Sequence, residues 1–266
     1  RPAPVSLVRL ALEAADASGD SVVAITGRMS GEPLHFSRAD DGTWRALGPV
    51  SVDAVDSVAG RVAIERSSGA IDSILVHVIL PARPKATGRG RPRQLAVNPR
   101  FTRPMDAATQ ARIARENERA REVGRSAHDT PPLWRGPFIN PRASAITSRF
   151  GSGRMFNGAV SSRHLGVDFS GAVGTPVRAA NRGVVALVDE FFLAGNVVYI
   201  NHGAGVVTGY FHLSRTLVAP GDTVEKGQQI GLVGATGRVT GPHLHWNARY
   251  GAVTVNPLDL VALGSF

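Results

Sequence analysis

The chain has 266 residues, a formal net charge of +9 and no cysteine. That length can bury a good core in more than one domain, and the missing thiols exclude disulfides and thiolate zinc sites, so any metal must be held by His and carboxylate. No apolar run approaches 18 residues, so no membrane span is expected; the start at Arg1-Pro2-Ala3-Pro4 without Met suits a processed exported protein.

The charge is uneven: residues 1–82 carry −3, residues 83–136 carry +8 and residues 137–266 carry +4. A basic stripe in the middle segment points to a polyanionic neighbour, either a wall polymer or anionic lipid. Arginine excess without interleaved aromatics does not predict nucleic-acid binding.

Residues 1–82 read as short strands. Val5, Leu7, Val8 and Leu10 open the first, and Val22-Val23-Ala24-Ile25 form part of the second. Asp40-Asp41-Gly42 is a turn between Leu34-His35-Phe36 and Trp44-Arg45-Ala46-Leu47, and Ser67-Ser68-Gly69 separates two further runs. This spacing predicts an immunoglobulin-like β-sandwich without a catalytic constellation. Residues 81–104 then interleave Pro with Arg and read as an extended linker. From Asp106, a plausible N-cap, no Gly or Pro occurs until Gly124, which predicts a helix. Its apolar residues Ala107, Ala111, Ile113 and Ala114 make a poor buried stripe, so it is expected to face solvent or bridge domains.

Residues 137–266 read as antiparallel sheet, with strands at 184–188, 196–200 and 206–212. His202, in the turn between the last two, is expected at the surface. The whole chain is therefore expected to be mainly β.

The chemistry lies in Gly241-Pro242-His243-Leu244-His245-Trp246. On a strand, side chains alternate, so His243 and His245 share one face and Leu244 takes the other. Alone, the pattern also fits two structural histidines. His164-Leu165-Gly166-Val167-Asp168 supplies partners: at i and i+4 of an extended segment, His164 and Asp168 share a face, with Gly166 removing bulk between them. His164, Asp168 and His245 would make a set of two nitrogens and one oxygen with a vacant fourth position, the catalytic form of a zinc site. His212 and His243 then remain as proton carriers, and no His-Glu-x-x-His helix offers a glutamate base.

His164-x-x-x-Asp168, Tyr210-Phe211-His212-Leu213-Ser214 and Gly241-Pro242-His243-Leu244-His245, in that order, resemble the lysostaphin-type (LytM-type) zinc metallopeptidases, which cut peptide cross-bridges in peptidoglycan. The stretches 221–231 and 234–237 also match, and the likeness covers residues 137–260. It implies Zn2+ on His164, Asp168 and His245, with His212 and His243 as the catalytic pair and the order of their roles open. It also implies an antiparallel domain with a zinc groove, peptidoglycan as substrate, and a place in the periplasm or cell envelope. Residues 1–82 resemble, more vaguely, the sandwich preceding this domain in exported members. Some members block the open zinc position with an asparagine; Asn98, Asn117 and Asn140 are available for that. The alternative within the family is a non-catalytic scaffold that binds wall or activates another hydrolase, although such domains usually lack several of the five residues. The run 224–231 also resembles carrier-domain hairpins, but Lys226 lacks the attachment-type Met before it.

Overall fold

Alternating apolar and polar residues between Leu7 and Ile79 form seven strands in a computed structural model that describes residues 6–14, 19–81 and 92–264. They are β1 (Leu7–Leu12), β2 (Val22–Met29), β3 (Glu32–His35), β4 (Ser37–Arg38), β5 (Trp44–Pro49), β6 (Ser57–Arg66) and β7 (Ile71–Ile79). Two antiparallel sheets result, β1-β5-β4 and β3-β2-β6-β7. Leu10, Ile25, Met29, Ala46, Val62 and Ile64 share the core between them. The turn at Asp40-Asp41-Gly42 closes β4 onto β5, with Gly42 at φ 81° and the Asp41 carboxylate accepting the Thr43 N–H at 3.0 Å. Val5 lies outside the described residues.

Residues 82–91 of the Pro/Arg-rich stretch also lie outside them. Beyond these come a short strand, β8 (Arg93–Leu95), and the helix α1 (Ala107–Ser126). Asp106 caps that helix by accepting the Thr109 N–H at 2.7 Å. The helix does not stand free in solvent: Ala120 and Gly124, one turn apart, bring it onto the C-terminal sheet beside Phe191, Val197, Tyr199 and Val207. A Cβ on Gly124 would come within 1.9 Å of Gly251 O, so the close approach depends on glycine. The outer face carries ion pairs of Arg121 and Arg125 with Glu118, and Arg112 and Arg119 meet Glu116 and Asp189. Four arginines of the basic segment are thus matched within the fold, and its described part gives no support to an anionic polymer partner.

The rest is strand: β9 (Ile146–Ser148), β10 (Gly153–Phe156), β11 (Val160–Arg163), β12 (Val167–Ser170), β13 (Pro176–Arg178), β14 (Gly183–Phe191), β15 (Gly195–Gly203), β16 (Val206–Thr216), β17 (Thr223–Val224), β18 (Gln229–Val233), β19 (His243–Tyr250) and β20 (Val253–Val255), closed by the helix α2 (Pro257–Ala262). The main sheet runs β17-β14-β15-β16-β19-β12-β9, all antiparallel, while β8 adds in parallel to β10. Val167, Phe169, Tyr210, Leu213, Leu244 and Trp246 lie in its core, which Leu7 and Leu47 of the first sheet also enter. Asp259 of α2 accepts the N–H groups of Ser6 and Leu7 at 2.9 and 3.1 Å. Glu32 accepts the Ala252 N–H at 3.0 Å and stands 3.0 Å from His128 Nε2. The front sandwich is therefore tied to the C-terminal sheet by buried polar contacts as well as by packing.

His202 departs from expectation. β15 continues through it to Gly203, so the ring is fully buried, with Nδ1 2.8 Å from Arg182 O and Nε2 2.8 Å from Thr208 Oγ1. The reversal comes at Ala204-Gly205, at φ 46° and 80°, where two positive φ values match the twist of the hairpin.

Candidate metal centre

β19 behaves as its alternation requires. Leu244 and Trp246 are fully buried in the core, and His243 and His245 point the other way. β12 lies beside it with Asp168 directly opposite His245, while Val167 and Phe169 enter the core. His164 precedes β12 and reaches the same point from the loop. Its Nδ1 lies 3.0 Å from Arg149 O and 3.1 Å from Ser148 Oγ, which turns Nε2 toward Asp168 Oδ1 at 2.9 Å and His245 Nδ1 at 3.0 Å. Asp168 Oδ1 is also 2.9 Å from His245 Nδ1.

Gly166 makes room for this convergence. A Cβ there would meet His245 Nε2 at 2.5 Å and Trp246 O at 2.6 Å. Phe211 stacks on the far side of the His245 ring, centroids 5.2 Å apart and planes at 16°. His164 and Asp168 are 2 % and 5 % exposed. Burial pushes the Asp168 carboxyl up, but the hydrogen bonds from His164 and His245 outweigh it and hold it well below the usual carboxylate range. Burial likewise pulls His245 down to about 4, against the pull of Asp168. A buried, ionised carboxylate flanked by two imidazole nitrogens is a donor set for a divalent cation, and three such atoms meeting at one point fit zinc.

His212 arrives by a different route. Tyr210 and Leu213 of β16 enter the core, while Phe211 and His212 both face the site, and regular alternation cannot place two neighbours on one face. His212 does so at φ 62°, with the strand's register shifting around it. Its ring centroid lies 5.0 Å from His243 and 5.9 Å from His245. His212 Nδ1 lies 2.8 Å from Thr236 O, and His243 Nδ1 lies 2.8 Å from Gly241 O. A carbonyl only accepts, so each Nδ1 carries a proton, and in the neutral ring Nε2 is the nitrogen that keeps its lone pair. His243 Nε2 is 3.7 Å from Asp168 Oδ1. Burial first, and then the electrostatic neighbourhood of the His243 and His245 rings, lowers the His212 pKa well below its ordinary value.

All five residues singled out in the sequence thus gather in one place. Of the three asparagines weighed as blocking groups, Asn117 of α1 lines the groove with His212 and His245, while Asn98 accepts the Arg100 N–H instead. Not foreseen were Arg154, whose Nη2 bonds Asp168 Oδ2 and also Ser148 Oγ at 2.9 Å, and the clamping groups Phe211 and Thr236. Arg154 lies on a polar hairpin, β10–β11, with no local pattern to mark it.

An antiparallel sheet with a buried His-Asp-His donor set, faced by two tautomer-fixed histidines, defines a metallohydrolase domain. Residues 162–257 match peptidase family M23, and they form a zinc metallopeptidase domain of that family. The chain is 52% identical over 83 residues to the peptidoglycan DD-endopeptidase ShyA of Vibrio cholerae serotype O1, covering 31% of this chain and 19% of that protein. It is 46% identical over 97 residues to the DD-carboxypeptidase/endopeptidase Mpg of Neisseria meningitidis serogroup B, covering 36% and 22%. The chain therefore spans about a fifth of the length of these relatives. A Pseudomonas aeruginosa structure assigned to peptidase M23 shares the fold over 98% of this chain and 95% of its own, with a TM-score of 0.72 and 24% identity.

Proposed function

We propose that this chain is an endopeptidase that hydrolyses amide bonds in peptidoglycan stem peptides or cross-bridges, acting in the periplasm or cell envelope. Residues 137–266 are its catalytic unit, 1–82 a preceding β-sandwich, and 83–136 a connection whose helix walls one side of the groove. The observation that carries the reading is the convergence of His164 Nε2, Asp168 Oδ1 and His245 Nδ1 beneath the free Nε2 atoms of His212 and His243. The names of the relatives, DD-endopeptidases of peptidoglycan, support the substrate class.

His164, Asp168 and His245 would hold zinc. Bound there, zinc supplies Lewis acidity toward a carbonyl oxygen and acidifies a water. The remaining work falls to the chain's own side chains. Amide hydrolysis moves one proton off water and another onto the departing amine, and His212 and His243 each offer an Nε2 that can accept or, once charged, return a proton. Their anchored Nδ1–H groups keep both rings from turning away. Phe211 holds His245 in place and excludes water from one side of it.

The test is digestion of purified peptidoglycan of known cross-link chemistry by the zinc-loaded chain, with fragments identified by mass and a chelator as control. Chelator-sensitive release of cross-linked peptides is expected. A zinc-loaded, folded chain that releases nothing from any cross-link type would remove the proposal.

A further inference from the structure

Two cavities open beside the metal site. One is lined by His164, His212 and His245, the other by Asp168 and His243, and Arg154, Phe156 and Arg238 line both. The groove is cationic. Arg249 also lines the first cavity and Arg93 the second; Arg121 and Arg163, which line the first as well, are paired with Glu118 and Asp53, and among the described residues Asp168 is the only acidic side chain lining either cavity. Such a field favours an anionic occupant.

Arg154 is already engaged with Asp168. Arg238 is not. Its guanidinium carbon lies 4.1 Å from the centroid of the Phe156 ring, and among the described residues the group has neither a hydrogen-bond nor an ion-pair partner. Burial, and then repulsion from Arg154, lowers its pKa. A guanidinium stacked on an aromatic face keeps its fork of N–H donors free at the edge, the geometry that takes a carboxylate in two parallel hydrogen bonds. A partly buried cation left unpaired beside a peptidase centre is costly unless a ligand completes it.

We propose that Arg238 binds a free carboxylate of the substrate while a nearby amide occupies the metal site, so that the groove selects anionic peptides. The proposal deepens the peptidase reading and rests on it for cleavage, though not for binding. Two synthetic peptide dimers joined through the same D-alanyl amide test it, one with free carboxylates and one with those carboxylates amidated. The wild-type chain is expected to favour the free acid by about tenfold or more in kcat/KM, mainly through KM. Arg238→Gln brings that ratio toward unity, and Arg238→Lys, which keeps charge but loses the fork, retains part of it. A wild-type chain indifferent to amidation overturns the proposal, as does a folded Arg238→Gln chain with the preference intact. The wild-type comparison needs no variant, so a poorly folded substitution does not blunt it. If neither dimer is cut, the peptidase reading fails by itself, and calorimetric binding of the two dimers to the zinc-loaded chain decides this one: preference for the free acid sustains it, equal binding ends it.

Discussion

The rings of His212 and His243 face each other with centroids 5.0 Å apart, although one comes from a distorted turn of β16 and the other from the first residue of β19. Neither is needed to complete the His164–Asp168–His245 set. Replacing either by Ala is therefore expected to leave zinc content at the wild-type value while hydrolysis falls by about 100- to 10,000-fold. The double variant falls little further, because the two act as a unit. His164→Ala, Asp168→Ala and His245→Ala lose zinc and activity together. Metal analysis alongside the peptidoglycan assay separates the groups; zinc lost from His243→Ala but kept in His245→Ala would exchange their roles.

Gly166 is expected to be intolerant. Ala there brings a methyl to 2.5 Å from His245 Nε2 and 2.6 Å from a backbone oxygen, and the backbone cannot yield as a flexible side chain would. Overpacking of this kind costs about 1–3 kcal/mol. The variant should melt earlier and bind zinc more weakly, since the ring that must move is a ligand. A Gly166→Ala chain with unchanged zinc affinity would show that His245 relaxes freely.

Arg154 neutralises the oxygen of Asp168 that turns away from the two imidazoles, and holds Ser148 beside His164. Arg154→Met keeps much of the stem but removes both bonds. Groups that orient a ligand in this way typically contribute about 10- to 100-fold in metal affinity. Competition with a calibrated chelator measures that loss, and equal affinity in the two proteins would reduce Arg154 to a packing residue.

His202 sets a pH dependence away from the metal. Burial depresses its pKa from 6.5 to about 4, so the folded chain holds it neutral. Its contribution is complete above the unfolded value and is lost as pH falls from about 6.5 toward 4, because the unfolded chain takes up a proton the folded one resists. The total is of order 3 kcal/mol. His35, lowered by burial and by His128, acts in the same direction. Urea midpoints at pH 7.5 and 4.5 should show His202→Gln less stable at the higher pH and less acid-sensitive than wild type. Equal slopes in the two proteins would refute the assignment.

Period-two alternation was enough to read His243 and His245 onto one face, with Leu244 and Trp246 opposed, because the rule is local to the strand. The i, i+4 spacing of His164 and Asp168, with Gly166 between them, was legible for the same reason: close approach leaves a mark in the residue type. Capping by Asp106 and the turn at Gly42 are equally local. Other features depended on partners distant in the chain. His212 faces the metal site only because β16 breaks its alternation at a positive φ, which pairing with β15, β18 and β19 imposes. Helix α1 packs through Ala120 and Gly124, residues too small to register as an apolar stripe until a flat sheet lies against them. His202 is buried because its strand runs three residues further, to Gly203, than the turn signal implied. Arg154 and Arg238 are ordinary surface arginines in sequence; the tertiary fold brings one against a ligand carboxylate and leaves the other unpaired beside the groove.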